Sequence, residues 1–251
     1  MPLTDRGEGP AVVFLHGNPE SRRGWDHIID ALEGVRCLAP DLPGFAGSSP
    51  PPQHYDFSLT AQLRFFEDLL DTLGLDSPVT VVAHDIGALM AIPFAAKHPG
   101  RVRRLVLMNT VFDPTFRWFP MARIWAHPIA GWLFMRIMNR FAFKKALASE
   151  TTAEVVAGHG DRIYEALSPA TKAGIRALYA KMTRPGFFEP HMDALATVRA
   201  QATTRVLWGA TDGFIPVEDA RRLSEAPIVV EDAGHWLPLE RPDRVIEQIV
   251  E

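Results

Sequence analysis

The 251-residue sequence contains a single cysteine, Cys37. One thiol cannot close an internal disulfide or hold a metal cluster, and the apolar run VRCLA around it is typical of a buried strand. The sequence also lacks an HExxH zinc motif and a phosphate-binding glycine loop. We therefore expect neither a metal ion nor an organic cofactor.

Positive charge is not in excess, because the formal net charge is −4 at pH 7. This balance argues against nucleic acid as the main partner. No apolar run reaches the roughly 18 residues of a membrane span, and the first residues lack the apolar core of a secretory signal. We expect a soluble, cytoplasmic protein, whose oligomeric state the sequence does not determine.

Short runs of branched residues recur along the chain and predict strands. Helical patterns separate them, for example over 22–33 and from Ser58 to Leu73. Continuous apolar strands joined by helices form a mostly parallel sheet with helices on both faces, so the expected fold class is α/β. The predicted strands cover residues 11–17, 35–40, 78–85, 103–109, 204–210 and 227–232.

The stretch 113–193 differs from this alternation. It is helix-like throughout, rich in Trp, Phe, Met and Arg, and interrupted by several prolines. An all-helical insertion between two strands of such a sheet is typical of a lid. We therefore predict a core domain made of residues 1–112 and 194–251, covered by a helical lid of residues 113–193.

Chemistry-bearing residues follow the predicted strands, where parallel sheets bind their ligands. In VVAHDIGA (81–88) a strand runs into a helix through small-x-Asp-x-Gly, which predicts a sharp turn exposing Asp85. Asp212 and His235 come later, in the order nucleophile, acid, histidine. Each alone has an ordinary explanation, such as a helix N-cap for Asp85. The joint pattern favours a catalytic triad in which Asp212 orients His235.

Together with HGNPES (16–21), the AHDIG run (83–87) resembles the α/β-hydrolase superfamily. Within it, the sequence is similar to the branch with an aspartate nucleophile, the haloalkane dehalogenases and epoxide hydrolases. The resemblance covers nearly the whole chain outside the lid. It implies two antiparallel strands before the HG strand, but only ten residues precede that strand here. We therefore expect the first N-terminal strand to be missing.

An aspartate nucleophile restricts the kinds of reaction that the enzyme can catalyse. A carboxylate is already ionised at neutral pH and can displace a leaving group from a saturated carbon, which leaves an ester on Asp85. His235 would then activate the water that hydrolyses the ester. The backbone N–H groups of Asn18 and Ile86 are placed to receive the negative charge of that step. Attack of the Asp85 carboxylate on an ordinary ester substrate would form an acid anhydride, which is an energetically poor intermediate. Esterase activity is therefore disfavoured.

The sequence does not decide between a halide and an epoxide oxygen as the leaving group. Asn18 resembles the halide-binding asparagine of haloalkane dehalogenases, but Ile86 occupies the position where those enzymes usually have a second donor, a tryptophan. Trp118, Trp125 and Trp132 of the predicted lid are candidate substitutes, although lid tryptophans more often simply pack.

Epoxide hydrolases usually use two lid tyrosines to protonate the departing oxygen. The predicted lid has Tyr164 and Tyr179, and Tyr179 matches the second of these positions. Nothing matches the first, for which His127 is a conceivable donor. A role of Tyr179 in lid packing alone is about as well supported as a role in catalysis.

The run LMNT (107–110) places Asn109 where some dehalogenases have their acid, which leaves Asp212 as the triad acid and slightly favours one dehalogenase group. We rank a haloalkane dehalogenase-like enzyme for small apolar halogenated compounds first, an epoxide hydrolase second and a ligand-binding or inactive relative third. The substrates are a small apolar organic compound and water. Haloacid substrates are disfavoured, because a cation beside the nucleophile would have to hold their carboxylate and no Arg or Lys occurs from His84 to Ala96. Arg117 of the predicted lid could supply that cation.

The apolar segment 131–143 carries arginines and is followed by lysines. Such a segment can dock on a membrane or a partner. A position over the pocket is more typical of lids, and we expect the segment to form the apolar ceiling with its cations in water.

Overall fold

A computed structural model describes residues 1–48, 54–201 and 203–250. Within these residues the central sheet has seven strands, in the order β1-β3-β2-β4-β5-β6-β7. The strands are β1 (Leu3–Arg6), β2 (Ala11–Leu15), β3 (Arg36–Pro40), β4 (Val79–His84), β5 (Val102–Met108), β6 (Thr204–Gly209) and β7 (Ile228–Val230).

All neighbouring pairs are parallel except β1 and β3, which pair antiparallel. The predicted α/β fold with a mostly parallel sheet is confirmed. The described chain contributes one antiparallel strand on this side of the sheet, where the resemblance implies two. Cys37 lies buried in β3, as its apolar neighbours predict.

Helices cover both faces of the sheet. On one face α2 and α3 pack over strand side chains such as Val81 and Leu105, and on the other α1 and α12 pack over Val82 and Val106. These helices and their shorter companions are α1 (Asp26–Asp30), α2 (Leu59–Thr72), α3 (Ala88–Lys97), α9 (Asp193–Ala200), α10 (Ala220–Leu223), α11 (Leu237–Glu240) and α12 (Pro242–Val250).

Helix α2 forms as its pattern predicts. The Ser58 side chain accepts a hydrogen bond from the backbone N–H of Ala61, and the apolar face of the helix is buried. The helix predicted over 22–33 is shorter in the structure. A 3-10 turn covers Arg22–Trp25, α1 follows it, and the chain soon reaches Gly34 at a φ of +71°. This left-handed backbone favours glycine and cannot continue a right-handed helix.

Five helices lie between β5 and α9. They are α4 (Pro120–Ala126), α5 (Pro128–Ile137), α6 (Arg140–Leu147), α7 (Ala153–Ala166) and α8 (Pro169–Met182). The apolar layer over α2 and α3 continues into them through side chains such as Met135 and Ile175. Among the described residues, no helix combines the length and apolarity that crossing a bilayer requires.

The register of the parallel strands aligns their carboxyl ends. Leu15 pairs with Ala83, His84 pairs with Met108, and Met108 pairs with Leu207. The residues that follow β2, β4, β5 and β6 therefore meet at one edge of the sheet, beneath the inserted helices.

Candidate active site

Asp85 occupies the turn between β4 and α3. Its backbone has a φ of +48°, a left-handed conformation that costs a non-glycine residue about 1–3 kcal/mol. The Thr110 hydroxyl donates to the Asp85 carbonyl oxygen at 2.7 Å, which helps to hold the turn. The residue is only 9% exposed, and its side chain lines a cavity under the inserted helices. The strained turn thus presents the carboxyl group to that cavity.

Gly87 allows this turn to pack against β2. A Cβ atom at this position would lie 2.4 Å from the Leu15 carbonyl oxygen and 2.8 Å from its carbonyl carbon, so the backbone would have to move.

We expect Gly87→Ala to lower the free energy of unfolding by about 1–3 kcal/mol, because overpacking against backbone has no cheap relaxation. Gly100→Ala is the control, since a Cβ there meets nothing within 4 Å. Urea unfolding of both variants measures the difference. Equal stability of the two would show that the turn tolerates a side chain.

Two backbone N–H groups support the Asp85 carboxylate. The N–H of Asn18 donates to Oδ2 at 2.8 Å, and the N–H of Ile86 also bonds the carboxyl group. Burial raises the pKa of Asp85, whereas the charge of His235 and these two N–H groups oppose the increase. The same donors can stabilise negative charge on an oxygen bound at this position.

His235 and Asp212 form a buried pair. The Nδ1 atom of His235 lies 2.9 Å from Oδ2 of Asp212, whose side chain is fully buried. The other carboxylate oxygen, Oδ1, accepts from the backbone N–H groups of Phe214 and Ile215 at 2.8 and 3.0 Å. The carboxylate therefore holds the ring in one orientation, and Nε2 of His235 has no hydrogen-bond partner among the described residues.

Asn109 holds Asp212 in place, a role that the sequence pattern did not predict. Its Nδ2 donates to Oδ2 of Asp212 at 2.7 Å, and its Oδ1 accepts from the N–H of Gly209 at 3.2 Å. Its φ is +42°, which asparagine tolerates better than most residues. The signal in the sequence was an amide residue at the end of β5, the strand that pairs with β6.

Opposing effects act on the His235 ring. Burial disfavours its protonation, but the charge and hydrogen bond of Asp212 together with the charge of Asp85 outweigh burial and raise the pKa to about 9. The imidazole therefore keeps its proton at neutral pH as long as Asp85 carries its negative charge.

We expect Asp85→Asn to lower the pKa of His235 from about 9, because one of the nearby negative charges that raise it disappears. NMR titration of the imidazole in both proteins measures the shift. An unchanged pKa would show that the charge of Asp85 does not contribute to the protonation state of the ring.

A cavity of about 390 Å³ lies between the sheet edge and the inserted helices. It brings together Asp85, His235, Asn18 and Ile86 with three predicted lid residues, Tyr179, Trp118 and Trp125. Asp212 lies behind His235. Aromatic, aliphatic and methionine side chains dominate the rest of the lining, which includes Leu89, Phe119, Met121, Phe134, Met135, Met138, Phe143, Phe214 and Trp236.

Tyr179 lies beside Asn18. Nδ2 of Asn18 donates to the Tyr179 hydroxyl oxygen at 3.4 Å, whereas the phenol proton has no acceptor among the described residues. Burial and the charge of Asp85 raise the pKa of Tyr179, so the phenol keeps its proton. The Trp125 ring lies 4.9 Å from the Tyr179 ring, and its Nε1 is buried without a hydrogen-bond partner.

Three other lid candidates lie outside this cavity. Trp132 is 52% exposed, with the Arg136 guanidinium 5.5 Å from its ring centroid. Tyr164 packs against Phe143 and lies under the guanidinium of Arg140, away from the cavity. His127 caps α5, since its Nδ1 accepts from the N–H of Ala130. Their residue types suggested hydrogen-bond or proton donors for the leaving group. Their positions in the inserted helices, however, place them outside the cavity.

Glu150 is a second carboxylate in the cavity that the sequence analysis did not identify. It lies near His235 and Asp212, and burial raises its pKa. No Arg or Lys is among the described residues that line the cavity, and Arg117 is not part of the lining. The charged groups that the described residues present to the cavity are therefore two carboxylates and one imidazole.

Segment 131–143 divides between the cavity and the surface. Phe134, Met135, Met138 and Phe143 line the cavity, as expected for a ceiling. Trp132, Leu133, Ile137 and Phe141 of the same segment are exposed instead. The prediction of a ceiling did not include these outward-facing apolar side chains.

Comparisons with known proteins agree with this architecture. Over 263 residues the chain is 28% identical to haloalkane dehalogenase 2 of Mycobacterium tuberculosis, covering 98% of this chain and 89% of that protein. It is 26% identical to epoxide hydrolase 3 of Xenopus tropicalis, covering 94% of this chain and 69% of the relative. A solved variant of a potato epoxide hydrolase has the same fold, with a TM-score of 0.79 at 22% identity over 98% of this chain and 93% of that one.

The family comparison covers more than half of the chain, since residues 10–154 match the model for the alpha/beta hydrolase fold. The relatives of this chain include enzymes of more than one reaction type, so the similarity alone does not select a substrate. The chain belongs to the α/β-hydrolase fold family and is a hydrolase related to the haloalkane dehalogenases and epoxide hydrolases.

Proposed function

We propose that this enzyme forms an ester between Asp85 and a saturated carbon of its substrate, and then hydrolyses the ester with a water activated by His235. The observation that carries the proposal is the position of the Asp85 carboxylate. It lies buried at a strained turn, between two backbone N–H donors and the His235–Asp212 pair.

In the first step a carboxylate oxygen of Asp85 attacks the carbon, and the bond to the leaving group breaks. This step needs no base, because the nucleophile is already ionised. The apolar cavity leaves few waters to compete with the carboxylate for the substrate.

In the second step the ester has removed the negative charge of Asp85. The pKa of His235 then falls from about 9, because that charge helped to raise it. The imidazolium first loses its proton, to the phenolate of Tyr179 if that residue has protonated an epoxide oxygen, or to solvent if a halide has left. Nε2 then accepts a proton from water while the water oxygen attacks the ester carbonyl. The N–H groups of Asn18 and Ile86 stabilise the resulting oxyanion. Its collapse breaks the bond to the alcohol oxygen, which takes the proton from His235. Asp85 is released as a carboxylic acid and passes its proton to the imidazole, which restores the Asp85 carboxylate and the imidazolium.

The leaving-group side of the cavity favours an epoxide as the substrate. An epoxide oxygen departs as a strong base and needs a proton, which the Tyr179 hydroxyl can donate. Asn18 donates to the oxygen of that hydroxyl and so stabilises the phenolate formed by the transfer. Ile86 offers no side-chain donor to a halide. This order reverses the ranking from the sequence, whose margin was small.

Haloalkane dehalogenation is the second candidate, supported by the free indole N–H of Trp125. With the carboxamide of Asn18, it would provide two N–H donors for a departing halide. In either case we propose a neutral, apolar substrate, because the cavity holds Glu150 and no Arg or Lys among the described residues that line it. We also propose that residues 113–193 act as the lid over a core of 1–112 and 194–251.

The test is to trap the ester. His235→Gln keeps an N–H that can bond Asp212 but removes the base. After incubation with styrene oxide or 1-bromobutane, intact mass spectrometry should show an adduct that persists. Styrene oxide adds its whole mass, whereas 1-bromobutane adds only a butyl group because bromide leaves.

The double variant Asp85→Asn/His235→Gln is the control and should form no adduct. An adduct that survives in the double variant would place the reaction on another residue. The absence of any adduct across a wider panel of epoxides and alkyl halides would overturn the proposed mechanism.

A further inference from the structure

Positive charge is concentrated in one part of the inserted helices. Residues 114–149 contain six Arg and Lys residues and no Asp or Glu, although the whole chain has a net charge of −4. The remainder of the chain therefore carries −10. Such a local reversal of sign favours a partner with negative charge.

The same segment exposes large apolar side chains. Ile129, Leu133 and Ile137 follow one another at four-residue intervals along α5 and are 73%, 50% and 65% exposed. Trp132 on α5 is 52% exposed, and Phe141 at the start of α6 is 79% exposed. Most of the large apolar side chains exposed in the described chain lie here, in a contiguous stretch of 13 residues. Single exposed apolar residues are common, but a row of this kind marks an interaction surface.

Several cations flank this row without a carboxylate partner. Arg140 and Lys144 form ion pairs with Asp161 of α7, and Arg140 also pairs with Glu165. Arg123, Arg136 and Lys145, by contrast, are exposed and have no ion pair among the described residues. Their charges remain available to an external partner.

We propose that α5 and the first turn of α6 form a docking surface for an anionic lipid bilayer. The exposed apolar residues are Ile129, Trp132, Leu133, Ile137 and Phe141, and Arg123, Arg136 and Lys145 are exposed cations of helices α4, α5 and α6. An apolar helical stripe with an indole and flanking basic residues is typical of helices that lie in the membrane interface. The anionic headgroups complement the uncompensated cations.

The inner faces of these helices connect the surface to the cavity. Phe134 and Met135 line the cavity, while the adjacent Leu133 and Trp132 face outward on the same helix. Docking would place the apolar cavity next to the lipid, in which apolar substrates concentrate. The proposed surface itself does not depend on the reaction assigned to Asp85.

The full chain can be tested by co-sedimentation with vesicles of phosphatidylcholine alone or mixed with phosphatidylglycerol. We expect binding to the anionic vesicles that weakens as salt increases. Ile137→Ser should reduce partitioning about tenfold, because the variant lacks an aliphatic side chain that docking would bury in the bilayer. Val250→Ser is the matched control, since Val250 and Ile137 are both 65% exposed.

A second pair of variants tests the charge. Arg136→Gln with Lys145→Gln should lower partitioning to anionic vesicles by roughly tenfold or more. Arg64→Gln with Arg221→Gln changes two exposed arginines outside the segment and should have little effect. Circular dichroism verifies that each variant is folded.

Three outcomes would overturn the proposal. The first is no sedimentation with any vesicle. The second is equal binding to neutral and anionic vesicles, which would exclude recognition of anionic headgroups. The third is self-association in analytical ultracentrifugation that Ile137→Ser abolishes, without vesicle binding, which would assign the surface to a second copy of the chain.

Discussion

Asp85→Asn is expected to lower kcat by roughly 10⁴-fold or more with either substrate class, since removal of a covalent nucleophile has effects of this size. The amide has nearly the shape of the carboxylate, and its oxygen can still accept from the N–H of Asn18, so the fold should persist. The amide is not a nucleophile toward a saturated carbon. Turnover of styrene oxide and 1-bromobutane measures the loss.

Asp113→Asn is a suitable control for this variant. Asp113 is another buried carboxylate near the carboxyl end of β5, where it pairs with Arg222 outside the cavity. We expect its turnover to remain within a few-fold of the wild type. Hydrolysis of p-nitrophenyl esters at an undiminished rate in Asp85→Asn would reveal a separate reaction that does not use this carboxylate.

The strands and the residues that follow them could be predicted from the sequence, because both depend on local rules. Branched residues in short runs form buried strands, and parallel strands end at the same edge. Asp85, Asp212 and His235 follow such runs in a fixed order. The structure brings Asp85 and His235 to one cavity, with Asp212 bonded to the histidine.

The contacts between distant segments could not be predicted in this way. Tyr179 meets Asn18 across 161 positions of the chain, and Asn109 meets Asp212 across 103. Glu150 was not identified because it follows α6 rather than a strand. Each of these contacts depends on how the inserted helices and strands pack, which local patterns do not specify.

Helix α5 shows why its faces in particular were difficult to assign. Apolar residues lie on both its cavity side, at Phe134 and Met135, and its outer side, at Leu133 and Ile137. Hydrophobic periodicity identifies a buried face only when the opposite face is polar. An apolar residue of α5 could therefore not be assigned to the cavity or the surface from its spacing.

The second large effect is expected from Tyr179→Phe, which should separate the two leaving groups. The ring would still pack edge-on against Trp118 and Trp125, so the cavity keeps its shape. An epoxide loses its proton donor, and kcat/KM should fall by about 10²–10⁴-fold, the usual contribution of a general acid. A halide departs without a proton, so the rate with 1-bromobutane should change by less than about tenfold.

Trp125→Phe is the reciprocal variant, because it removes the indole N–H and leaves a smaller aromatic ring in the same cluster. It should reduce turnover of 1-bromobutane more than that of styrene oxide. Equal losses with both substrates in Tyr179→Phe would contradict proton donation, because they would show that the hydroxyl only positions Asn18. A large loss with the halide alone would instead make dehalogenation the function that this cavity supports, with the tyrosine hydroxyl stabilising the departing halide.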